Sequence, residues 1–288
     1  ADGTTTTVQV TINGTNDAPT LASITAGTVA DTANSATLGA TTNLFGTLVG
    51  ADVDIGNSLS YTLTGSSVAT FTSSASGASV TYDLSKAGTY GTVYLEAATG
   101  KYLYVANATL VNQLAAGSNP SESFTFNVGD GTTTTSQTYS IGFTGANDAP
   151  VFDASGGLTI VTNAGTAAFT IAEGALSNYF ADPESNQVGL NAVPVKVGST
   201  LQTITGTGTG SAAIATEGNI TIRDNGTSGG SFTMIGTDGS LPSSSATVNV
   251  IFNSTGTSTL IAAGSGNSII YNSQAGASVL TGGIGNDY

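Results

Sequence analysis

The acids and side-chain amides of this chain fall in short turn motifs, and the motifs recur. Asn16-Asp17 leads into Ala18-Pro19, and Asn147-Asp148 leads into Ala149-Pro150. Asp52 and Asp54 form an Asp-x-Asp, Asp182 and Glu184 flank Pro183, and Asp130 and Asp238 each precede a glycine. Glu173 stands in Ile-Ala-Glu-Gly, and Asp287 closes Gly-Gly-Ile-Gly-Asn-Asp. Clustered oxygen donors suit a hard cation, and calcium takes about six to eight oxygens from carboxylates, carbonyls and Asn side chains. No single motif supplies that number, but three loops meeting at one end of a β-domain do. If strands run alternately up and down from residue 18, Asn16 and Asp17 meet Asp52, Asp54 and Asp130. By the same logic Asn147 and Asp148 meet Glu173, Asp182, Glu184 and Asp238, with Glu122 as a further candidate at that second group. A plainer reading stands beside each motif: Asp-Gly is a turn dipeptide, and Asp-x-Asp also serves as a solvated turn.

The residues that are missing narrow the chemistry. The chain has no His and no Cys, so a Ser-His-Asp triad, an H-E-x-x-H zinc site and disulfides are excluded. Its 18 acids against four bases give a net charge of −14, which disfavours nucleic-acid phosphates and anionic membrane surfaces and favours cations or simple solubility. Asp182 and Glu184 are the one acid pair worth testing for glycoside hydrolysis. They sit in a turn among other acids, so no enzyme is expected. No apolar run approaches the ~20 residues that span a bilayer.

The elements that must position these motifs are strands. Period-two alternation marks Val8–Ile12, Leu59–Leu63, Val80–Leu84, Val93–Leu95, Tyr102–Val105, Phe124–Val128 and Tyr139–Phe143. It returns at Leu158–Val161, Ala168–Ile171, Ile220–Ile222, Phe232–Ile235 and Val248–Phe252, with one helical turn expected around Thr109–Leu114. Charged residues make up 8% of the chain, against roughly 25% in ordinary soluble domains, and Thr, Ser, Gly, Ala and Asn replace them. Tyr90, Tyr94, Tyr102 and Tyr104 read first as core and strand formers, with a sugar-stacking face as the alternative. The expectation is an all-β chain of tandem immunoglobulin- or cadherin-like sandwiches. The phrase Asp-Gly-Thr-Thr-Thr-Thr, then a strand, then Asn-Asp-Ala-Pro occurs at residues 2–19 and again at 130–150, which marks an array of like modules. Residues 1–18 then form the final strand of a preceding module, 19–149 and 150–254 two sandwiches, and 255–288 the start of a parallel β-roll within a longer protein. Pro19 and Pro150 fix φ and extend the residue before them, which stiffens each junction.

Residues 46–149 resemble the VCBS repeat of large bacterial surface proteins. The matching text is Gly46-Thr47-Leu48, Asp52-Val53-Asp54-Ile55-Gly56-Asn57-Ser58-Leu59, Gly88-Thr89-Tyr90-Gly91-Thr92, Gly100-Lys101-Tyr102, Ser123-Phe124-Thr125-Phe126, Asp130-Gly131 and Thr144-Gly145-Ala146-Asn147-Asp148-Ala149-Pro150. Where that family often has Glu after its first strand, this chain has Asp31. Residues 151–254 are similar to a cadherin-like module of the same adhesins, through Ile171-Ala172-Glu173-Gly174, Phe180-Ala181-Asp182-Pro183-Glu184 and Asp238-Gly239. Residues 264–288 resemble the calcium-binding RTX glycine repeat, in Gly282-Gly283-Ile284-Gly285-Asn286-Asp287 and the degenerate Gly264-Ser265-Gly266-Asn267-Ser268-Ile269.

These resemblances imply a calcium-binding structural or adhesive segment of a secreted bacterial cell-surface protein, acting in attachment and biofilm and exported by type I secretion. Low cytoplasmic calcium would leave it unfolded for export and external calcium would fold it. The expected partners are calcium ions, with surface glycans or neighbouring copies of the chain as further candidates; nucleic acid and membrane insertion are not expected. The alternative is a surface-layer (S-layer) or filament subunit assembling through its β-modules, which the uncharged polar composition suits equally. Thr-rich strands at Thr4–Thr7 and Thr132–Thr135 admit sugar or ice binding, though Thr is also simply a good strand former.

Overall fold

A computed structural model describes residues 3, 5–35, 37–54, 56, 58–152, 157–163, 169–171, 179–186, 196–197, 201–204, 210–214, 220–224, 230–234, 236–238, 240–253, 259–261, 266–272 and 279–282. The chain forms two compact units. The first holds Ala1–Asp31, Thr37–Val111 and Ser118–Thr144, and the second holds Thr32–Ala36, Asn112–Gly117 and Gly145–Tyr288.

The strands of the first unit are β1 (Thr20–Leu21), β2 (Gly27–Ala30), β3 (Thr41–Thr42), β4 (Phe45–Thr47), β5 (Gly50–Ala51) and β6 (Ser60–Leu63). They continue with β7 (Ser67–Ser73), β8 (Val80–Ala87), β9 (Gly91–Leu95), β10 (Lys101–Ala106), β11 (Ser121–Gly129) and β12 (Thr134–Thr144). Two five-stranded sheets, ordered β4-β10-β9-β8-β7 and β3-β2-β12-β11-β6, make a sandwich. Alternation in β11 and β12 buries Phe124, Phe126, Val128, Tyr139, Ile141 and Phe143. The facing sheet supplies Tyr102 and Tyr104, and the rings interlock: Tyr102 lies 5.3 Å from Phe126 and 5.1 Å from Tyr139, and Tyr104 lies 6.0 Å from Phe124. Aromatic pairs at such distances contribute about 0.5–1.5 kcal/mol each beyond area burial. Burial pushes the Tyr102, Tyr104 and Tyr139 phenols up from their ordinary value. Gly91 is required where β9 crosses Tyr104, since an added Cβ would run into the phenol ring and the Val105 carbonyl. The helical turn α1 (Ala108–Val111) is capped by Asn107, whose side-chain oxygen accepts from Leu110 N–H at 3.3 Å.

The second unit contains β13 (Val151–Phe152), β14 (Leu158–Thr162), β15 (Phe169–Ile171), β16 (Phe180–Ala181), a 3-10 turn at Pro183–Asn186, β17 (Lys196–Val197) and β18 (Leu201–Ile204). Then come β19 (Gly210–Ile214), β20 (Ile220–Asp224), β21 (Gly230–Met234), β22 (Gly236–Thr237) and β23 (Ala246–Phe252). The tail adds β24 (Thr259–Ile261), β25 (Asn267–Tyr271) and β26 (Val279–Thr281). One sheet runs β21-β23-β14-β25 and the other β15-β20-β19-β18. Residues of both build one core, including Leu158, Ile160, Ile171, Ile222, Phe232, Val248, Val250 and Phe252. Strand β14 pairs in parallel on both sides, with β23 and with β25, and is covered on both faces: Ile160 enters the core while Val161 packs against Ile270. A strand buried on both faces carries apolar residues on both, as the adjacent Ile160 and Val161 show.

One sequence expectation comes out differently. Val8–Ile12 alternates like a strand but forms none, because no ladder partner reaches it among the described residues; Val8, Val10 and Ile12 are 78%, 74% and 89% exposed. In the tail β25 joins the sheet of the second unit in parallel and β24 pairs in parallel with β26, Leu260 opposite Leu280, while the glycine repeat at residues 283–288 lies outside the described residues.

Candidate cation site: two carboxylate clusters

The first cluster is assembled from three turns of the first unit. β1 and β5 pair antiparallel, Thr20 opposite Ala51, which brings the Asn16–Pro19 segment alongside the loop that follows β5. There Asp17 N–H donates to Asp54 Oδ2 at 2.8 Å, and Asp54 N–H donates to Asp52 Oδ1 at 2.8 Å. Asn16 Nδ2 donates to Asp130 Oδ2 at 2.9 Å and to the Asp17 carbonyl at 2.9 Å. Asp130 sits in the β11–β12 turn, where its other oxygen accepts the amides of Thr132 and Thr133 at 2.6 and 2.7 Å. These donors, the Thr133 amide foremost, hold the Asp130 carboxyl well below the usual carboxylate range.

The second cluster repeats the pattern bond for bond. β13 and β16 pair antiparallel with Val151 opposite Ala181. Asp148 N–H donates to Glu184 Oε1 at 2.9 Å, and Glu184 N–H to Asp182 Oδ1 at 3.1 Å. Asn147 Nδ2 donates to Asp238 Oδ2 at 2.7 Å and to the Asp148 carbonyl at 3.2 Å, while Ser240 and Leu241 amides donate to Asp238 Oδ1 at 2.6 Å each. Burial pushes the Asp238 carboxyl up, but the Leu241 amide, the Asn147 amide and the Ser240 amide outweigh it, and the net shift is down. Asp148 and Asp182 are 3% exposed, and carboxylate oxygens of Asp148 and Glu184 approach within 4.8 Å. Burial, reinforced by the neighbouring Asp182, pushes Glu184 up to about 8.

All five predicted residues of the first cluster, Asn16, Asp17, Asp52, Asp54 and Asp130, are therefore linked by hydrogen bonds. In the second, Asn147, Asp148, Asp182, Glu184 and Asp238 are linked in the same way. Glu173 and Asp287 lie outside the described residues. Glu122 does not join the second group: its carboxylate closes the β8–β9 turn, accepting Thr89 N–H at 2.6 Å, Tyr90 N–H at 3.2 Å and the Tyr104 hydroxyl. A residue that sequence reasoning missed is Asn34, which stands at φ +60 in the second unit. Its N–H donates to Asp148 Oδ1, and its side-chain oxygen accepts Ala149 N–H at 2.8 Å. Asn is among the few residues that tolerate the left-handed region, but nothing local links Asn34 to residue 148.

The donor set is all oxygen, and it fits a hard cation. Asp52 Oδ2 and Glu184 Oε2 are buried atoms that accept no hydrogen bond among the described residues. A buried carboxylate oxygen without a donor is costly, and a divalent ion satisfies several such oxygens at once.

No family model matches this chain, and no curated protein matches it either. Among solved structures, human protocadherin-24 EC1-2 aligns over 83% of this chain and 100% of its own, at 13% identity and TM-score 0.34. The human desmocollin-1 ectodomain aligns over 83% of this chain and 41% of its own, at 9% identity and TM-score 0.38. An endo-fucoidan hydrolase of glycoside hydrolase family 107 aligns over 69% of this chain and 24% of its own, at 16% identity and TM-score 0.23. Among the described residues no helix is long and apolar enough to cross a membrane.

Proposed function

We propose that this chain is a calcium-binding structural segment of a secreted, cell-surface adhesive repeat protein. The observation that carries the reading is the duplicated scaffold: the same five-residue set, an Asn, three carboxylates and an Asp-turn, is wired by corresponding hydrogen bonds in each unit. Turn chemistry alone explains the Asp130 and Asp238 bonds. It does not explain why Asp17 and Asp148, Asp54 and Glu184 are gathered against them, because massed carboxylates repel unless a cation joins them. Asn16, Asp17, Asp52, Asp54 and Asp130 would hold one ion, and Asn147, Asp148, Asp182, Glu184 and Asp238 another. The ion would neutralise charge and tie three turns together; the role is structural, not catalytic.

The array reading is supported by the N-terminal segment. Aligned on Asn16 and Asn147, Val8, Val10 and Ile12 fall at Tyr139, Ile141 and Phe143, which are 0%, 0% and 2% exposed in β12. The segment thus carries the apolar face of a last strand, suited to a slot between an antiparallel and a parallel neighbour like those of β12. Bacterial origin, type I export, RTX-type repeats and a place in biofilm rest on the sequence resemblance. Isothermal titration of the chelator-treated chain with calcium chloride tests the core claim. Two sites are expected, with Asp52→Asn removing one and Asp182→Asn the other. Absence of binding heat at millimolar calcium, or heat untouched by both variants, overturns it.

A further inference from the structure

The outer face of the β4-β10-β9-β8-β7 sheet carries a feature that neither cluster uses. Register places Phe45, Leu103 and Tyr94 side by side there, opposite to the core face of Tyr102 and Leu95. A register shift between Val68 and Phe71 in β7 re-aims Phe71, whose ring stacks on Tyr94 at 4.1 Å and 21°. Leu103 and Tyr82, 4% and 1% exposed, pack with this pair. Two cavities open on the face, of about 500 and about 380 Å³. Phe71 lines the larger, Tyr94 the smaller, and Val105 lines both, so the stacked rings form the partition. Volumes of about 300–1,000 Å³ suit small ligands or a few residues of a polymer.

The lining chemistry selects the ligand. In a chain of net charge −14, no residue lining either cavity is charged; the polar ones are Thr, Ser, Asn and the tyrosines Tyr94 and Tyr104. A charged ligand would meet no counter-charge among the lining residues, and a purely apolar one would strip water from hydroxyls and amides without replacing it. A neutral sugar satisfies both surfaces, with its C–H faces against aromatic rings and its hydroxyls toward groups that donate and accept. The wall is also preset: Tyr104 N–H donates to the Leu44 carbonyl at 2.6 Å, Tyr139 hydroxyl to the Asn43 carbonyl at 2.7 Å, and Asn43 Nδ2 to the Ala26 carbonyl at 3.2 Å. We infer that this face binds a neutral oligosaccharide, with neighbouring sugar residues in the two cavities on either side of Phe71 and Tyr94. This goes beyond the cation reading and does not depend on it.

The full chain is titrated calorimetrically with cello-, malto-, xylo- and manno-oligosaccharides, with an oligogalacturonate of matched length, and with an extended Ser/Thr-rich peptide. At least one neutral oligosaccharide is expected to bind and the acidic one not. Phe71→Ala and Val105→Lys should each weaken that binding about tenfold or more, a loss of about 1.4 kcal/mol. Val8→Lys, remote and 78% exposed, should leave it unchanged. Val105 is 40% exposed, so Val105→Lys keeps its thermal midpoint and decides the matter if Phe71→Ala fails to fold. Failure of every neutral sugar at millimolar concentration, binding indifferent to Val105→Lys, or preference for the acidic sugar or the peptide overturns the inference.

Discussion

Asp238 anchors its cluster through donors on both carboxylate oxygens, two backbone amides on one and Asn147 on the other. Removing the acceptor strands those donors in a residue that is 7% exposed. Asp238→Ala is therefore expected to destabilise the second unit by about 2–4 kcal/mol, read in chemical denaturation with chelator present. Asp238→Asn keeps an acceptor and should cost less while still weakening calcium binding. Glu184 supplies the pH dependence. Its folded value, about 8, lies above the unfolded one, so the folded state holds the proton more tightly. Glu184 therefore contributes stability to the ion-free second unit that is full below about pH 4.5, its unshifted value, and is lost as pH rises through about 8. A thermal series in chelator from pH 5 to 9 should show this fall, and saturating calcium should flatten it. A rise with pH in chelator would contradict the crowding of Glu184 against Asp182.

At the scale of elements, β14 is the strand on which the second unit depends, since it carries the ladder to both β23 and β25. Ile160 is fully buried in that unit's core. Ile160→Ala should cost about 2–5 kcal/mol and lower the transition of the second unit while leaving that of the first in place, as calorimetry would resolve. The contrast between β12 and the N-terminal segment gives a sharper test. Both alternate, yet among the described residues only β12 of the two has ladder neighbours. Hydrogen exchange should find amides 137–143 strongly protected and amides 6–12 nearly free. Protection of 6–12 in dilute solution would mean that the segment finds a sheet edge in another copy.

For the whole molecule the governing quantity is charge. Eighteen acids against four bases oppose compaction, and two sets of them are gathered into clusters. An ion that binds only the folded state stabilises it by mass action, about 4 kcal/mol at a thousandfold excess over Kd. Both unfolding transitions should therefore move up in calcium, and magnesium, which keeps its waters and demands octahedral geometry, should move them less. Potassium chloride at matched ionic strength is the control: equal shifts would reduce the effect to screening.

Much of this protein was written in local sequence. The alternation of Phe124–Val128, Tyr139–Phe143 and Val248–Phe252 determined which residues face a core, because a strand's period of two is a property of the chain alone. The paired Asn-Asp-Ala-Pro, Asp-x-Asp and Asp-Gly turns likewise named most of each cluster, since turn residues are chosen by nearby backbone geometry. Tertiary structure decided the rest. Asn34 reaches Asp148 across 114 residues, Tyr94 turns outward to Phe71 while Tyr102 turns inward, β25 joins β14, and Val8–Ile12 is left without a ladder. Each of these depends on which strands become neighbours. Pairing is set by burial and loop closure over the whole chain, and an alternating pattern looks the same whether or not a partner arrives.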